Sequence, residues 1–152
     1  MRIREMSPSD LDGVMEIEEV SFPTPWSREM FLEDFPRDFS DTLVAAGTED
    51  EVLGYAVCWT LAGESHLLNI AVHPARRGRG IGRALLSECI RRAAGAGASR
   101  VFLEVRAGNE AAQRLYRSMG FAFRGIRKGY YTDTGEDAVI FDREVRESDA
   151  AR

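Results

Sequence analysis

Leu11, Val14 and Ile17 recur three residues apart, the spacing of one face of an amphipathic helix. Ser7-Pro8-Ser9-Asp10 supplies its start, with a capping hydroxyl, a proline at the first helical position and an acid in the first turn. Pro23 and Pro25 interrupt it, and Ser27 can cap a second short helix through Met30 and Phe31. A short strand around Ile3 precedes the pair. The period then changes. β-Branched and aromatic residues cluster over residues 42–46 and 52–61, on either side of the acidic turn Glu49-Asp50-Glu51, which predicts a hairpin. A further strand covers residues 66–72 and is stopped by His73-Pro74. From Ile81 the helical period returns, with Ile81, Leu85, Cys89 and Ala93 on one stripe and Gly95 and Gly97 at its end.

Residues 101–105 read as a strand, after which Asn109 can cap a helix carrying Ala111, Ala112, Leu115, Tyr116 and Met119 on one face, ended by Gly120. Two more strands, 121–128 and 138–144, close the pattern. A meander of strands, then strand-helix-strand-helix, then a final strand pair predicts an α/β fold with a mixed sheet covered by helices. At 152 residues the chain has the size of one domain, expected over residues 1–146, with 147–152 as a frayed tail.

Composition narrows the function classes. With 44% apolar and 30% charged residues the chain should fold rather than stay disordered. Its formal charge of −5 argues against general binding to nucleic acid or an anionic membrane unless a local basic patch is used. The two cysteines, Cys58 and Cys89, sit within apolar runs as small buried thiols do, and two are too few for a disulfide framework or a zinc set. The start, Met1-Arg2-Ile3-Arg4-Glu5, lacks the apolar stretch of a signal peptide, and no run approaches the roughly eighteen apolar residues of a membrane span. A soluble, cytoplasmic protein without a metal is the expectation.

One segment points to a ligand. Arg76-Arg77-Gly78-Arg79-Gly80-Ile81-Gly82-Arg83 lies between an apolar strand and an amphipathic helix. Glycines let the backbone turn tightly and expose its N–H groups, and a helix N-terminus adds unpaired donors and partial positive charge, so the loop suits an anion. The Gly-Lys-Ser/Thr ending of the Walker loop and the dinucleotide-binding glycine pattern are both missing. From the residues alone, a solvated surface turn or a small patch for nucleic acid fits as well. Glu104 is the second unusual feature, a carboxylate inside the apolar strand Val101-Phe102-Leu103-Glu104-Val105, where it must be paired, hydrated or used. A salt bridge, for example with Arg106, is the structural alternative.

Residues Arg77 through Gly82, preceded by Asn69-Ile70-Ala71-Val72, resemble the R/Q-x-x-G-x-G/A signature of the GNAT acetyltransferase superfamily. Leu103-Glu104-Val105-Arg106 followed by Asn109, Ala111 and Ala112, and then Leu115-Tyr116-Arg117-Ser118-Met119-Gly120-Phe121, are similar to the RimI branch, which acetylates a ribosomal protein at its α-amine. Phe22-Pro23-Thr24-Pro25-Trp26-Ser27, Tyr130-Tyr131 and Gly135-Glu136-Asp137-Ala138 extend the resemblance over nearly the whole chain.

The resemblance implies a single GNAT-type domain with a mostly antiparallel sheet whose central strands splay apart, and acetyl-CoA as co-substrate. It implies that the backbone of Ile70, Ala71 and Val72 serves the acetyl end of the cofactor. Arg77, Gly78, Arg79, Gly80, Ile81 and Gly82 would hold its pyrophosphate, with backbone donors ahead of any one arginine. By the same resemblance Glu104 is the general base, with burial expected to raise its pKa, and Tyr116 protonates the departing thiolate. Tyr116 is equally readable as a buried aromatic, and Asn109, a further cofactor contact by resemblance, as a plain N-cap. Phe22, Trp26, Asn69, Tyr130 and Tyr131 would contact the acceptor, a protein or peptide N-terminus. Asp133, Glu136 and Asp137 would favour a basic peptide, unless they form a solvated turn beside packed tyrosines. A GNAT enzyme for a small amine or lysine and a non-catalytic acyl-CoA-binding module are the rival readings. His66 and His73 look isolated and carry no assigned role, no nucleic-acid partner is expected, and the chain is expected as a monomer or weak dimer.

Overall fold

Strand β1 (Arg2–Glu5) leads into a 3-10 turn over Pro8–Asp10 and helix α1 (Leu11–Ser21). This computed structural model describes residues 1–151. The proline and Asp10 that were expected to open the helix instead close a tighter turn ahead of it. There the Asp10 carboxylate accepts the Ser7 amide at 2.8 Å. Leu11, Val14 and Ile17 are buried, as their spacing predicts. Helix α2 (Arg28–Asp34) begins where Ser27 accepts the Met30 amide at 3.2 Å.

Strands β2 (Ser40–Ala46), β3 (Val52–Leu61) and β4 (Glu64–Val72) follow, then helix α3 (Ile81–Gly95) and strand β5 (Arg100–Arg106). Helix α4 (Glu110–Ser118), strands β6 (Ala122–Tyr131) and β7 (Glu136–Glu144), and a last turn of helix, α5 (Glu147–Ala150), complete the chain. The strands form one open sheet in the order β1-β2-β3-β4-β5-β7-β6. β1–β2, β2–β3, β5–β7 and β6–β7 are antiparallel and β4–β5 is parallel. The predicted α/β class with a mixed, mostly antiparallel sheet is therefore the observed one.

Packing divides the chain into two compact units. The first comprises residues 1–59 and 69–89. Leu43, Val44, Tyr55, Ala56, Val57, Leu85 and Leu86 are buried in it, together with Cys58 and Cys89, whose thiols are in contact and free of disulfide. Gly54 has a definite reason to be glycine, since a Cβ there would stand 2.8 Å from the Ala71 carbonyl oxygen and 3.3 Å from Ile81. The close approach sets the first turn of α3 against β3.

The second unit comprises residues 60–68 and 90–151 among those described. Val101, Leu103, Val105, Tyr116, Phe121 and Phe141 are buried in it. The β4–β5 ladder here runs from Glu64↔Arg100 to His66↔Phe102, ending before Glu104. The α4 stripe is narrower than its sequence suggested: Tyr116 is buried, Ala112 and Leu115 are half-buried, and Ala111 faces solvent. Residues 147–150, expected to fray, are held by a buried Asp149, which accepts Arg143 at 3.1 Å and the Arg146 amide at 2.8 Å. Arg152, the last residue of that expected tail, lies outside the described residues.

Candidate active site

In the first unit the arginine-glycine loop is built as an open backbone turn. Gly78 and Gly80 adopt φ of +78° and +82°, a left-handed conformation that L side chains rarely take. A Cβ at either position would meet no atom within 4 Å, so the protein does not crowd the space beside them. The loop runs directly into α3, where the Gly80 carbonyl accepts the Ala84 amide at 3.0 Å, and the first turn of an α-helix carries amides without an intrahelical partner. Arg77, Gly78, Arg79 and Gly80 are exposed, Gly82 is half-buried and Ile81 is buried. Arg77 Nε turns back to the Val72 carbonyl at 3.3 Å. A glycine turn at a helix N-terminus, rimmed by arginines, suits an anionic group. His73 is accounted for locally, its Nδ1 accepting the Ala75 amide at 3.0 Å.

Two of the expected acceptor contacts in this unit converge on a residue that sequence reasoning missed. Glu18 is 1% exposed, and its Oε1 accepts the Tyr55 hydroxyl at 2.5 Å and Asn69 Nδ2 at 2.8 Å. Its Oε2 accepts the Trp26 amide at 2.8 Å, which ties the Phe22–Ser27 loop to β3 and β4. The Trp26 ring packs on Phe31 with centroids 5.1 Å apart, and Phe31 meets Tyr55 at 6.0 Å. The signal was present: Glu18 lies four residues after Val14 and seven after Leu11, on the buried stripe of α1. Phe22 is half-buried, and Ile70 and Val72 flank the buried Ala71 at the end of β4.

In the second unit Glu104 does not pair with Arg106. Its Oε2 accepts His66 Nε2–H at 2.6 Å, and the two side chains are 12% and 28% exposed. The parallel register explains the contact. His66 is opposite Phe102, its ring stacked on the phenyl at 4.3 Å, and Glu104 is the next residue of β5 on that face. Burial alone would push the Glu104 carboxyl up, as expected from sequence. The hydrogen bond and charge of His66, with the charge of Arg127, outweigh it and hold the carboxyl below its ordinary value. Both the raised pKa and the isolation of His66 are thus corrected.

Arg106 is engaged elsewhere, with Asp133 at 2.7 Å and Glu136 at 3.3 Å, and its guanidinium lies 4.1 Å from the Tyr131 ring centre. Asp137 accepts the Gly129 amide at 2.8 Å and pairs with Lys128 at 3.7 Å. These acids hold the β6–β7 hairpin together, and Arg106 and Lys128 offset two of their three negative charges. Tyr130 is exposed and meets Tyr131 edge to face at 5.1 Å. Burial pushes the Tyr131 phenol up to about 12. Tyr116 packs beside Phe121 at 5.9 Å and Phe141 at 6.3 Å, and Asn109 caps α4 by accepting the Ala112 amide at 3.2 Å. Among the described residues no group of three or more His, Cys, Asp or Glu is placed to hold a metal, and no helix is long and apolar enough to cross a membrane.

The open mixed sheet and the helix entered through a glycine-arginine loop are shared with an acyl-transferring class of protein. The chain belongs to the acetyltransferase (GNAT) family, whose model matches residues 11–121. It is an acetyl-CoA-dependent N-acetyltransferase. The ribosomal protein bS18-alanine N-acetyltransferase of Salmonella typhimurium is 36% identical over 137 residues, covering 89% of this chain and 91% of its own. The crystal structure of the ribosomal-protein-S18-alanine N-acetyltransferase from Escherichia coli superimposes with a TM-score of 0.85 at 33% identity, over 95% of this chain and 93% of that one. Ard1 from Thermoplasma volcanium gives 0.87 at 28% identity, over 96% and 98%.

Proposed function

We propose that this enzyme acetylates the N-terminal α-amine of a protein, of the ribosomal-protein alanine type, by direct attack of the amine in a ternary complex. The observation that carries the reading is Glu104, a half-buried carboxylate on the strand that precedes the Tyr116 helix. It stands in a chain similar along most of its length to ribosomal-protein alanine N-acetyltransferases.

Acetyl-CoA supplies an acetyl group activated as a thioester. The chain supplies the rest. The backbone amides of Arg77–Gly82 at the start of α3 hold the pyrophosphate, aided by the helix dipole, and the backbone of Ile70, Ala71 and Val72 receives the arm that carries the acetyl group. Asn109 adds a cofactor contact while capping α4. Glu104 takes the proton that an α-ammonium must lose before its nitrogen can attack, and Tyr116 donates a proton to the leaving sulfur. Phe22, Trp26, Asn69, Tyr130 and Tyr131 receive the acceptor. Their aromatic surfaces, rather than the committed acids of the β6–β7 turn, provide the grip on a peptide. The cytoplasm, where ribosomal proteins are made, is the place of action in this reading.

The test is mass spectrometry after incubation with acetyl-CoA and two peptides, one with a free N-terminal alanine and one N-terminally blocked with an internal lysine. Acetylation confined to the free α-amine is the expected result. Modification of lysine would move the acceptor to a side-chain or small amine, and silence with both, alongside measurable acetyl-CoA binding, would favour an acyl-CoA-binding module.

A further inference from the structure

His66 was left without a role by its sequence position, yet it is the side chain bonded to Glu104. The permanent cations on β5 are taken. Arg100 pairs with Glu64 and with Asp142, and Arg106 pairs with Asp133 and Glu136. A carboxylate stabilised for structure alone would be served best by such an arginine, whose charge does not change. Glu104 is instead bonded to an imidazole, which offers one directed N–H to one carboxylate oxygen.

The geometry restrains both partners. The His66 ring lies nearly parallel to Phe102, 14° apart, and the Arg100 guanidinium sits 4.9 Å from the same phenyl centre. An ionised carboxylate can only accept, so Nε2 carries the hydrogen and Oε2 is the oxygen committed to it. The Glu104 backbone amide is a second donor to the carboxylate. The other charged or titratable groups acting on Glu104 are Arg127 and Tyr131, both from β6.

We propose that His66 is a positioning residue for acetyl transfer: its Nε2–H holds the Glu104 carboxylate through Oε2 in the orientation in which it receives the proton of the amine. This rests on Glu104 being the general base. Proton flow is simple. One proton moves from the ammonium nitrogen to the Glu104 carboxylate and then to solvent, and His66 keeps its Nε2–H throughout.

The experiment measures kcat and kcat/KM against pH for the full chain with acetyl-CoA and the alanine peptide, for wild type, His66→Gln, His66→Phe and Glu104→Gln. His66→Gln keeps an N–H donor for the carboxylate, so it should retain most of the turnover. His66→Phe should lower kcat roughly ten- to a hundredfold by freeing the carboxylate, with acetyl-CoA KM little changed. Melting curves identify a variant that merely fails to fold, in which case His66→Gln decides alone. Wild-type kcat in a folded His66→Phe, or a tenfold or greater loss of kcat in a folded His66→Gln, with Glu104→Gln inactive, overturns the role of His66 while leaving the general base intact. Near-normal turnover in Glu104→Gln across pH overturns both.

Discussion

Tyr55→Phe tests the buried node that holds the Phe22–Ser27 loop of the first unit. The substitution deletes one oxygen and leaves the ring, so packing against Phe31 at 6.0 Å is preserved. What it removes is the hydroxyl that donates to Glu18 Oε1 at 2.5 Å. Both residues are fully buried, Tyr55 at 0% and Glu18 at 1%, so solvent is poorly placed to replace the bond. Burial pushes the Tyr55 phenol strongly up, with the Glu18 charge adding to it, so the group stays a donor over the whole working range. Glu18 would keep Asn69 on the same oxygen and the Trp26 amide on the other, which limits the damage to one charge-assisted bond. Such a bond contributes about 1.5–3 kcal/mol. A loss of about 2 kcal/mol should lower Tm by roughly 4–8 °C for a chain of this length. Urea denaturation with unchanged slope, followed by peptide KM, is the assay. KM should rise because the Trp26 loop is less firmly held. A change in stability below about 0.5 kcal/mol with unaltered KM would refute the claim that Glu18 anchors the loop through this node.

The glycines of the first unit separate packing from ligand space: Gly54→Val puts a Cβ 2.8 Å from the Ala71 carbonyl and should cost about 1–3 kcal/mol as well as weakening CoA binding. Gly80→Val enters open space at φ +82° and should weaken CoA binding, read by calorimetry, with a smaller effect on stability; unchanged affinity would count against the loop as the pyrophosphate site. The hydrogen bond from Arg4 holds the Asp10 carboxyl below its ordinary value against the opposing effect of burial. Stability from this depressed group is present above the ordinary carboxylate range and lost as pH falls through the lowered value. Asp10→Asn should thus destabilise by about 1–3 kcal/mol at neutral pH, the gap closing on acidification; parallel denaturation curves from neutral to acid pH would contradict it.

Local signals carried most of the fold. The stripe Leu11, Val14, Ile17, the Ser27 and Asn109 caps, and the glycine stops at Gly97 and Gly120 act within a few residues, and each was legible. The tail was misread because its anchor is not local in pattern. Buried Asp149 looks like an ordinary acid near a chain end until β7 brings Arg143 to it. Ala111 was placed on the apolar face of α4 by composition, but on so short a helix the buried strip narrows to Tyr116.

At the site, motif residues were legible and their partners were not, for one physical reason. A strand shows which residues share a face, through its period of two, but not which residue of another strand lies opposite. His66 and Glu104 are 38 residues apart, and the β4–β5 register alone turns an isolated histidine and a lone carboxylate into a pair. The same holds for charge. Asp133, Glu136 and Asp137 read in sequence as a negative surface, yet Arg106, 27 residues before Asp133, crosses to the β6–β7 turn and takes two of them. A cluster of acids attracts a basic ligand only with the charge its own counter-ions leave over. In the proposed function, acceptor choice falls to Trp26, held by Glu18, and to Tyr130 and Tyr131. Truncating those side chains should alter peptide KM far more than reversing a turn carboxylate.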